Sequence, residues 1–293
     1  MQIHAEYFQK GLLGIQREKG KLVRSVKNNG AAILNIDDAL VMKTRVPSRA
    51  KLVTYGLKKA DIQAKELEIQ TVKGDMRQVA HVYEDGKVTG VLELKQLGEG
   101  TVYAALAALA VAEVLEINLV QAIKALNSEF ISEPGRMSLL VAKNGGTLID
   151  DTYNAAPASI MNGLELVKNM QQKDQKVACV FGSMGELGIY SEEKHLEVGR
   201  AVAKVANVFI GIGDAMKPAT VIAKQQNTKL DVHWFKDSLE ASRMAPKLLK
   251  ECDIVYLKGS QSQRVERVTK VLLKRSSDAA KLVRQSEAWL NKS

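Results

Sequence analysis

The sequence predicts an α/β fold in two domains. Residues 1–132 are expected to form a domain with an antiparallel meander, and residues 133–293 a Rossmann-like, mostly parallel α/β domain. Three observations carry this expectation. A chain of 293 residues has the length of about two domains. From residue 145 onward, short apolar runs rich in Val and Ile (TLIDD, KVACVFG, NVFIGIG, the more polar DVHWF, and DIVYLKG) alternate with helix-length segments, which is βαβ rhythm. In the first half, Asp85-Gly86 lies between VAHVY and KVTGVLEL, the pair that accepts the positive φ angles of a type I′ hairpin turn.

Taken in order, the first half opens with a helix to about Asn28. A strand in AAILNIDD follows, another near KLVTYGL, and a meander from Glu66 to Leu97. A long helix runs from about Thr101 to Leu115 and a shorter one over Leu119 to Asn127. Ser132-Glu133-Pro134-Gly135 then breaks the pattern and sets the boundary. In the second half glycine stands at or near strand ends, at Gly182, Gly211, Gly213 and Gly259. Open α/β sheets bind ligands beyond the carboxyl ends of their strands, so those ends form one candidate site. The G-I-G-D after the third run lacks the last glycine of a dinucleotide fingerprint, with Met216 in its place, and this argues against a nicotinamide enzyme.

The chain carries a net charge of +9 with 46% hydrophobic and 26% charged residues, a globular composition that excludes a disordered or fibrous protein. More than half of the positive excess lies in residues 264–293. There Val265, Val268, Val271 and Leu272 recur at helical spacing, so the charges are expected on the outer face of an amphipathic helix. Trp289 is the lone aromatic near them, so a nucleic-acid groove is not expected; a polyanionic small molecule suits the charge equally well. The longest uncharged apolar stretch, Val102 to Ala112, is about half of what a bilayer span requires, and the N-terminus has no secretory pattern. A cytoplasmic protein without membrane insertion is expected. Cys179 and Cys252 read as reduced core thiols, and no zinc spacing is present.

Five segments in order, NGAAILNIDD, EPGRM, LIDDTYNAAPAS, VFGSMGELGIYSEEKHLEVG and LKGSQSQRVE, resemble the Mur ligases over nearly the whole chain. The pattern is most similar to the type that joins D-alanyl-D-alanine to UDP-N-acetylmuramoyl-tripeptide in peptidoglycan synthesis. The resemblance implies an ATP- and Mg²⁺-dependent ligase in which a substrate carboxylate is phosphorylated and an amine attacks the acyl phosphate. A folate-type polyglutamate ligase is a weaker alternative with the same chemistry. By the family pattern, Asp151 would bind the ATP ribose, Arg136 would contact phosphate, and Tyr153 and Asn154 would shape the nucleotide pocket. A carboxylate accepts two hydrogen bonds from a diol, and a guanidinium fork suits phosphate. Asp150 and Asp151 are adjacent in a strand and point apart, so they are not a catalytic acid pair. The same resemblance implies that His4 and a carbamylated Lys19 serve Mg²⁺ and catalysis, a hard cation taking oxygen ligands. It also implies that Ser183, Met184, Glu186, His195, Lys258 and Ser260 serve the amine substrate, with Glu186 or His195 orienting the amine or a loop.

The sequence departs from the family pattern in three places. No G-x-x-G-K-[ST] occurs in the 293 residues, so they hold no glycine-rich loop to cradle the β- and γ-phosphates. GEGTVYA at Gly98 to Ala104 replaces the family's G-x-H-N-x-x-N, and Ser183 stands where the family usually has Asp. The expectation is therefore a truncated central domain without the P-loop, followed by a complete C-terminal domain: a fragment inactive alone. It would be a monomer or need a missing N-terminal part. The competing expectation is a noncatalytic module that binds a nucleotide or dipeptide.

Overall fold

The computed structural model describes residues 11–72, 75–130 and 133–290. They form two compact units, one within Tyr7–Ile131 and one within Ser132–Ser293.

In the first unit, α1 (Gly11–Arg24) precedes β1 (Ala31–Asn35), α2 (Ala39–Met42) and β2 (Lys51–Gly56). The meander follows as β3 (Ile62–Val72), β4 (Asp75–Glu84) and β5 (Lys87–Leu94), and two helices, α3 (Glu99–Val114) and α4 (Leu119–Glu129), end the unit. The five strands lie in chain order in one sheet; β1, β2 and β3 pair parallel, and β3, β4 and β5 antiparallel. The β4–β5 turn takes φ of 47° at Asp85 and 80° at Gly86, the positive pair the dipeptide predicts. One core holds the unit: Val53, Ile62, Ala80, Val82, Leu92 and Leu94 pack against Val102, Leu106 and Leu109 of α3 and Ile123 of α4. The alanine-rich sequence of α3 lets it lie close to the sheet, with Ala105 and Ala110 buried. In NIDD, Asp38 caps α2 by accepting the Leu40 and Val41 amides, while Asp37 accepts the Leu57 amide at 2.6 Å and the Tyr103 hydroxyl at 3.0 Å.

The second unit runs β6 (Ser138–Val141), β7 (Thr147–Asp151), α5 (Pro157–Met170), β8 (Val177–Gly182), α6 (Ser191–Val202), β9 (Val208–Ile212) and α7 (Met216–Gln226). It continues with β10 (Asp231–Phe235), α8 (Ser238–Leu248), β11 (Ile254–Lys258), α9 (Glu266–Leu272) and α10 (Glu287–Leu290). The strand order is β10-β9-β8-β11-β7-β6, parallel except for β6. Alternate residues of each inner strand feed two separate cores. Ile149, Cys179, Phe181, Phe209 and Tyr256 meet α5, α6 and α7, while Leu148, Val180, Ile210 and Leu257 meet α8 and α9. After β8 the chain travels outward to β9 and β10, then returns to insert β11 beside β8. The order reverses there, and the ends of β8 and β11 form the crevice of a doubly wound sheet.

Three details differ from the sequence expectation. β6 is an additional antiparallel edge strand, too short and too near Lys143 for periodicity to mark it. Gly211 lies inside β9, where Thr220 and Met216 of α7 come too close for a side chain. Residues 264–293 are not one amphipathic helix. α9 is seven residues long, and the chain then turns through a 3₁₀ segment, Ser276–Lys281, before α10. Nor are all the charges solvated: the side chains of Arg264 and Arg284 are 8% and 6% exposed, because both pair with the buried carboxylate of Glu266.

Candidate nucleotide and substrate site

The carboxyl end of β7 carries Asp150 and Asp151, which the strand's pleat sends to opposite faces. Asp150 is fully buried; one oxygen accepts the hydroxyls of Thr152 at 2.9 Å and Thr269 at 2.8 Å, and the other has no partner. Burial pushes its carboxyl up to about 7, against the lowering effect of the two hydroxyls. Asp151, 5% exposed, forms an ion pair with Lys258 at the end of β11 and accepts the Tyr256 hydroxyl at 3.3 Å and the Met137 amide. Burial raises the Asp151 carboxyl and lowers the Lys258 ammonium, and their mutual attraction opposes both shifts. Tyr256 and Lys258 lie two residues apart on one strand and reach Asp151 from the same face. The Tyr256 ring has room because Gly163 of α5 faces it; a Cβ there would collide with the phenol.

The turn before β6 brings Arg136 to the same place. Gly135 has φ of 68° and Met137 of 51°, and the Gly135 carbonyl accepts the Tyr153 amide at 3.0 Å. Arg136 is exposed, with its guanidinium 4.1 Å from the centroid of the Tyr153 ring, itself 48% exposed. Asn154 accepts the Ala155 amide at 2.8 Å, leading the chain into α5, whose first turn is closed by reciprocal bonds between Ala156 and Ser159. A buried carboxylate, an exposed guanidinium, a half-exposed aromatic ring and a helix start thus adjoin one another.

The ends of β8 and β11 supply the second half of the site. Ser260 donates its hydroxyl to the Ser183 carbonyl at 2.6 Å, joining the two loops. His195, fully buried on α6, accepts the Met184 amide at Nε2 over 2.9 Å and donates from Nδ1 to the Ser191 carbonyl at 2.7 Å. Burial lowers its pKa and keeps the ring neutral, the form that can accept at Nε2. Both nitrogens serve the backbone, so His195 holds the shape of the 183–188 loop. Met184 is likewise buried, and Glu186, exposed with φ of 60°, is the charged side chain on that loop.

The structure therefore brings Arg136, Asp151, Tyr153 and Lys258 together, with Asn154 one residue on, and gathers Ser183, Met184, His195 and Ser260 into one loop framework. Lys19 is exposed on α1 in the other unit, and His4 lies outside the described residues. Among the described residues no group of three His, Cys, Asp or Glu side chains is placed to hold a metal ion. Sequence reasoning missed Tyr256 and Thr269. Tyr256 has a faint signal, two positions before Lys258 on an alternating strand; Thr269 has none.

Comparison with known proteins agrees with this architecture. Residues 1–112 match the Mur ligase middle domain, and residues 135–261 match the Mur ligase glutamate ligase domain. UDP-N-acetylmuramoyl-tripeptide--D-alanyl-D-alanine ligase of Buchnera aphidicola is 27% identical over 281 residues, covering 94% of this chain and 59% of that protein. UDP-N-acetylmuramate--L-alanine ligase of Hydrogenobaculum is 30% identical over 161 residues, 55% of this chain and 34% of that protein. In structure, a MurF ligase from Thermotoga maritima in complex with ADP matches with a TM-score of 0.72 at 24% identity, over 91% of this chain and 58% of that one. MurF from Acinetobacter baumannii matches with a TM-score of 0.76 at 24% identity, over 91% and 57%. These structural likenesses establish the fold, and the chain spans less than two thirds of each relative's length. With both matched domains in order along it, the chain belongs to the Mur ligase family.

Proposed function

We propose that this chain serves ATP-dependent amide ligation in cytoplasmic peptidoglycan-precursor synthesis, joining D-alanyl-D-alanine to UDP-N-acetylmuramoyl-tripeptide through an acyl phosphate. The observation that carries the reading is the convergence of Asp151, Arg136 and Tyr153 at the carboxyl end of β7, beside the crevice where doubly wound sheets take ligands. Asp151 would accept the ribose hydroxyls of ATP, with Lys258 sharing its charge. Arg136 would meet phosphate, and Tyr153 and Asn154 would wall the base or phosphates. Glu186, Ser183 and Ser260 would face the amine substrate. Residues 1–132 would act as the central domain, with Mg²⁺ bound through His4 and carbamylated Lys19, and residues 133–293 as the amine-binding domain.

The 293 residues contain no G-x-x-G-K-[ST], so the phosphate cradle needed for turnover is not among them. That observation favours a second reading, a noncatalytic nucleotide- or dipeptide-binding module. Two measurements separate these. Calorimetry with ADP and 2′,3′-dideoxy-ADP should give binding that weakens about tenfold or more without the hydroxyls, the value of hydrogen bonds to a charged group; absence of ADP binding would sink the nucleotide reading. Incubation with ATP, Mg²⁺, UDP-N-acetylmuramoyl-tripeptide and D-alanyl-D-alanine should release no phosphate with these residues alone, and should release it once a polypeptide supplies the loop. Continued silence with the loop present favours the module; release by the 293 residues unaided refutes the need for the loop.

A further inference from the structure

The two turns that carry Arg136 and Tyr153 are tied together by a segment from the far end of the chain. Leu282 is anchored in the core under α8 and α9, and Val283 next to it covers Gly135. The fit is close: a Cβ on Gly135 would lie 2.7 Å from Val283 Cγ1 and 2.9 Å from the Tyr153 amide nitrogen. Arg284 then turns inward. Its Nη1 donates to the Thr152 carbonyl at 3.0 Å and its Nη2 to the Tyr153 carbonyl at 2.5 Å. These are the two residues directly after Asp151, where the strand has ended and its carbonyls have left the sheet ladder.

The guanidinium is itself held. Glu266, 1% exposed, accepts Arg284 Nη1 at 3.1 Å with one oxygen and Arg264 Nε at 2.7 Å with the other. The Trp289 ring lies 5.3 Å from the Arg264 guanidinium and 5.9 Å from that of Arg284. Arg264 and Arg284 both adopt left-handed backbone, with φ of 53° and 58°. Non-glycine residues tolerate that conformation where surrounding contacts over-determine it. A planar fork donating to two successive carbonyls sets their direction as well as their distance, which a single ammonium does not.

We propose that Arg284 is a positioning residue of the nucleotide site. By fixing the Thr152 and Tyr153 carbonyls it sets the tilt of the Tyr153 ring, on which Arg136 stacks, and the exit of the chain from Asp151. The C-terminal segment is thereby part of the site rather than a trailing end. The proposal rests on the nucleotide reading of Arg136, Asp151 and Tyr153 given above.

The test uses the full chain with Arg284→Gln and Arg284→Lys, and with Leu249→Ala as a control that removes buried volume at the end of α8, away from both turns. Two readouts are taken well below each variant's melting temperature: ADP affinity by calorimetry, and amide hydrogen exchange at Met137 and Tyr153. Arg284→Gln should weaken ADP about tenfold, the scale expected when a residue that orients a ligand-contacting group is lost, with Arg284→Lys in between. Leu249→Ala should lower the melting temperature and leave affinity unchanged. The exchange of the Met137 and Tyr153 amides should quicken in Arg284→Gln and not in Leu249→Ala. Unchanged affinity with unchanged exchange in Arg284→Gln overturns the proposal, as does an equal loss of affinity in Leu249→Ala. If the unsubstituted chain binds no ADP, the nucleotide reading fails first; the exchange readout still decides whether Arg284 sets the two turns.

Discussion

In β8, β9 and β11 of the C-terminal unit every residue is buried, whereas in β2, β3 and β5 of the N-terminal unit burial alternates or gives out along the strand. The first sheet is sealed by a helical layer on each face and the second packs its core against α3 and α4. A sheet covered on both faces has no lateral opening, so strand ends are where its polar groups can meet a ligand. The charges follow that rule: Asp150, Asp151 and Lys258 lie at a strand's carboxyl end, and Glu266 opens the helix that follows β11.

The largest effect should come from breaching a sealed face. Val180→Asp puts an unpaired carboxylate between β8 and the α8–α9 layer and should cost at least about 4 kcal/mol, unfolding the C-terminal unit in urea titrations. A cooperative transition within about 1 kcal/mol of the parent would show that the face admits water. Next in size, Gly163→Ala drives a methyl into the Tyr256 phenol and should cost about 1–3 kcal/mol, with a changed near-ultraviolet tyrosine signal. An unshifted melting temperature and spectrum would mean that α5 can retreat without cost.

Asp150 sharpens the comparison through pH. Its folded carboxyl titrates at about 7, far above the value of 3.8 for a free side chain. Between those values the folded chain keeps a proton that the unfolded chain has lost, so this group's contribution is fully present below the lower value and is lost as pH rises through the upper one. Asp150→Asn removes the effect. Its melting temperature relative to the parent should rise by a few degrees from about pH 5 to about pH 8, and a gap flat with pH would place Asp150 in an ordinary environment. The smallest effect should be Val88→Thr on β5, 62% exposed, which should stay within about 0.5 kcal/mol. A loss of 2 kcal/mol or more, on the scale of a core truncation, would show that the position is covered.

Much of this fold was legible because the physics is local. Strands buried on both faces read as near-continuous apolar runs in VACVFG, VFIGI and IVYLK, and the Asp85-Gly86 turn follows from what two residues' φ angles allow. The helical spacing of Val265, Val268 and Leu272 is likewise real, and it marks α9. Its apparent extension into the basic tail misled, because periodicity carries no record of Arg264 and Arg284 closing on Glu266. In the candidate site, the motif around Asp151 and the segment EPGRM meet, with Arg136 stacked on the Tyr153 ring two residues after Asp151. The partnership of Asp151 with Lys258 spans 107 residues, and that of Arg284 with Tyr153 spans 131; no local pattern encodes either.

By itself the sequence determined most of the secondary structure and the near-continuous burial of the C-terminal strands, which depend on residues within a turn or two of one another, and its spaced motifs supplied the family resemblance with the candidate carboxylate and guanidinium. Tertiary structure decided which charges are buried in pairs, that His195 spends both nitrogens on backbone, and that residues 282–284 lie against the turns at 135 and 153. The division has one cause. Propensity and periodicity act over a few residues, whereas an ion pair or a carbonyl clamp is stable only once a packed core has removed water and brought distant segments within hydrogen-bond reach.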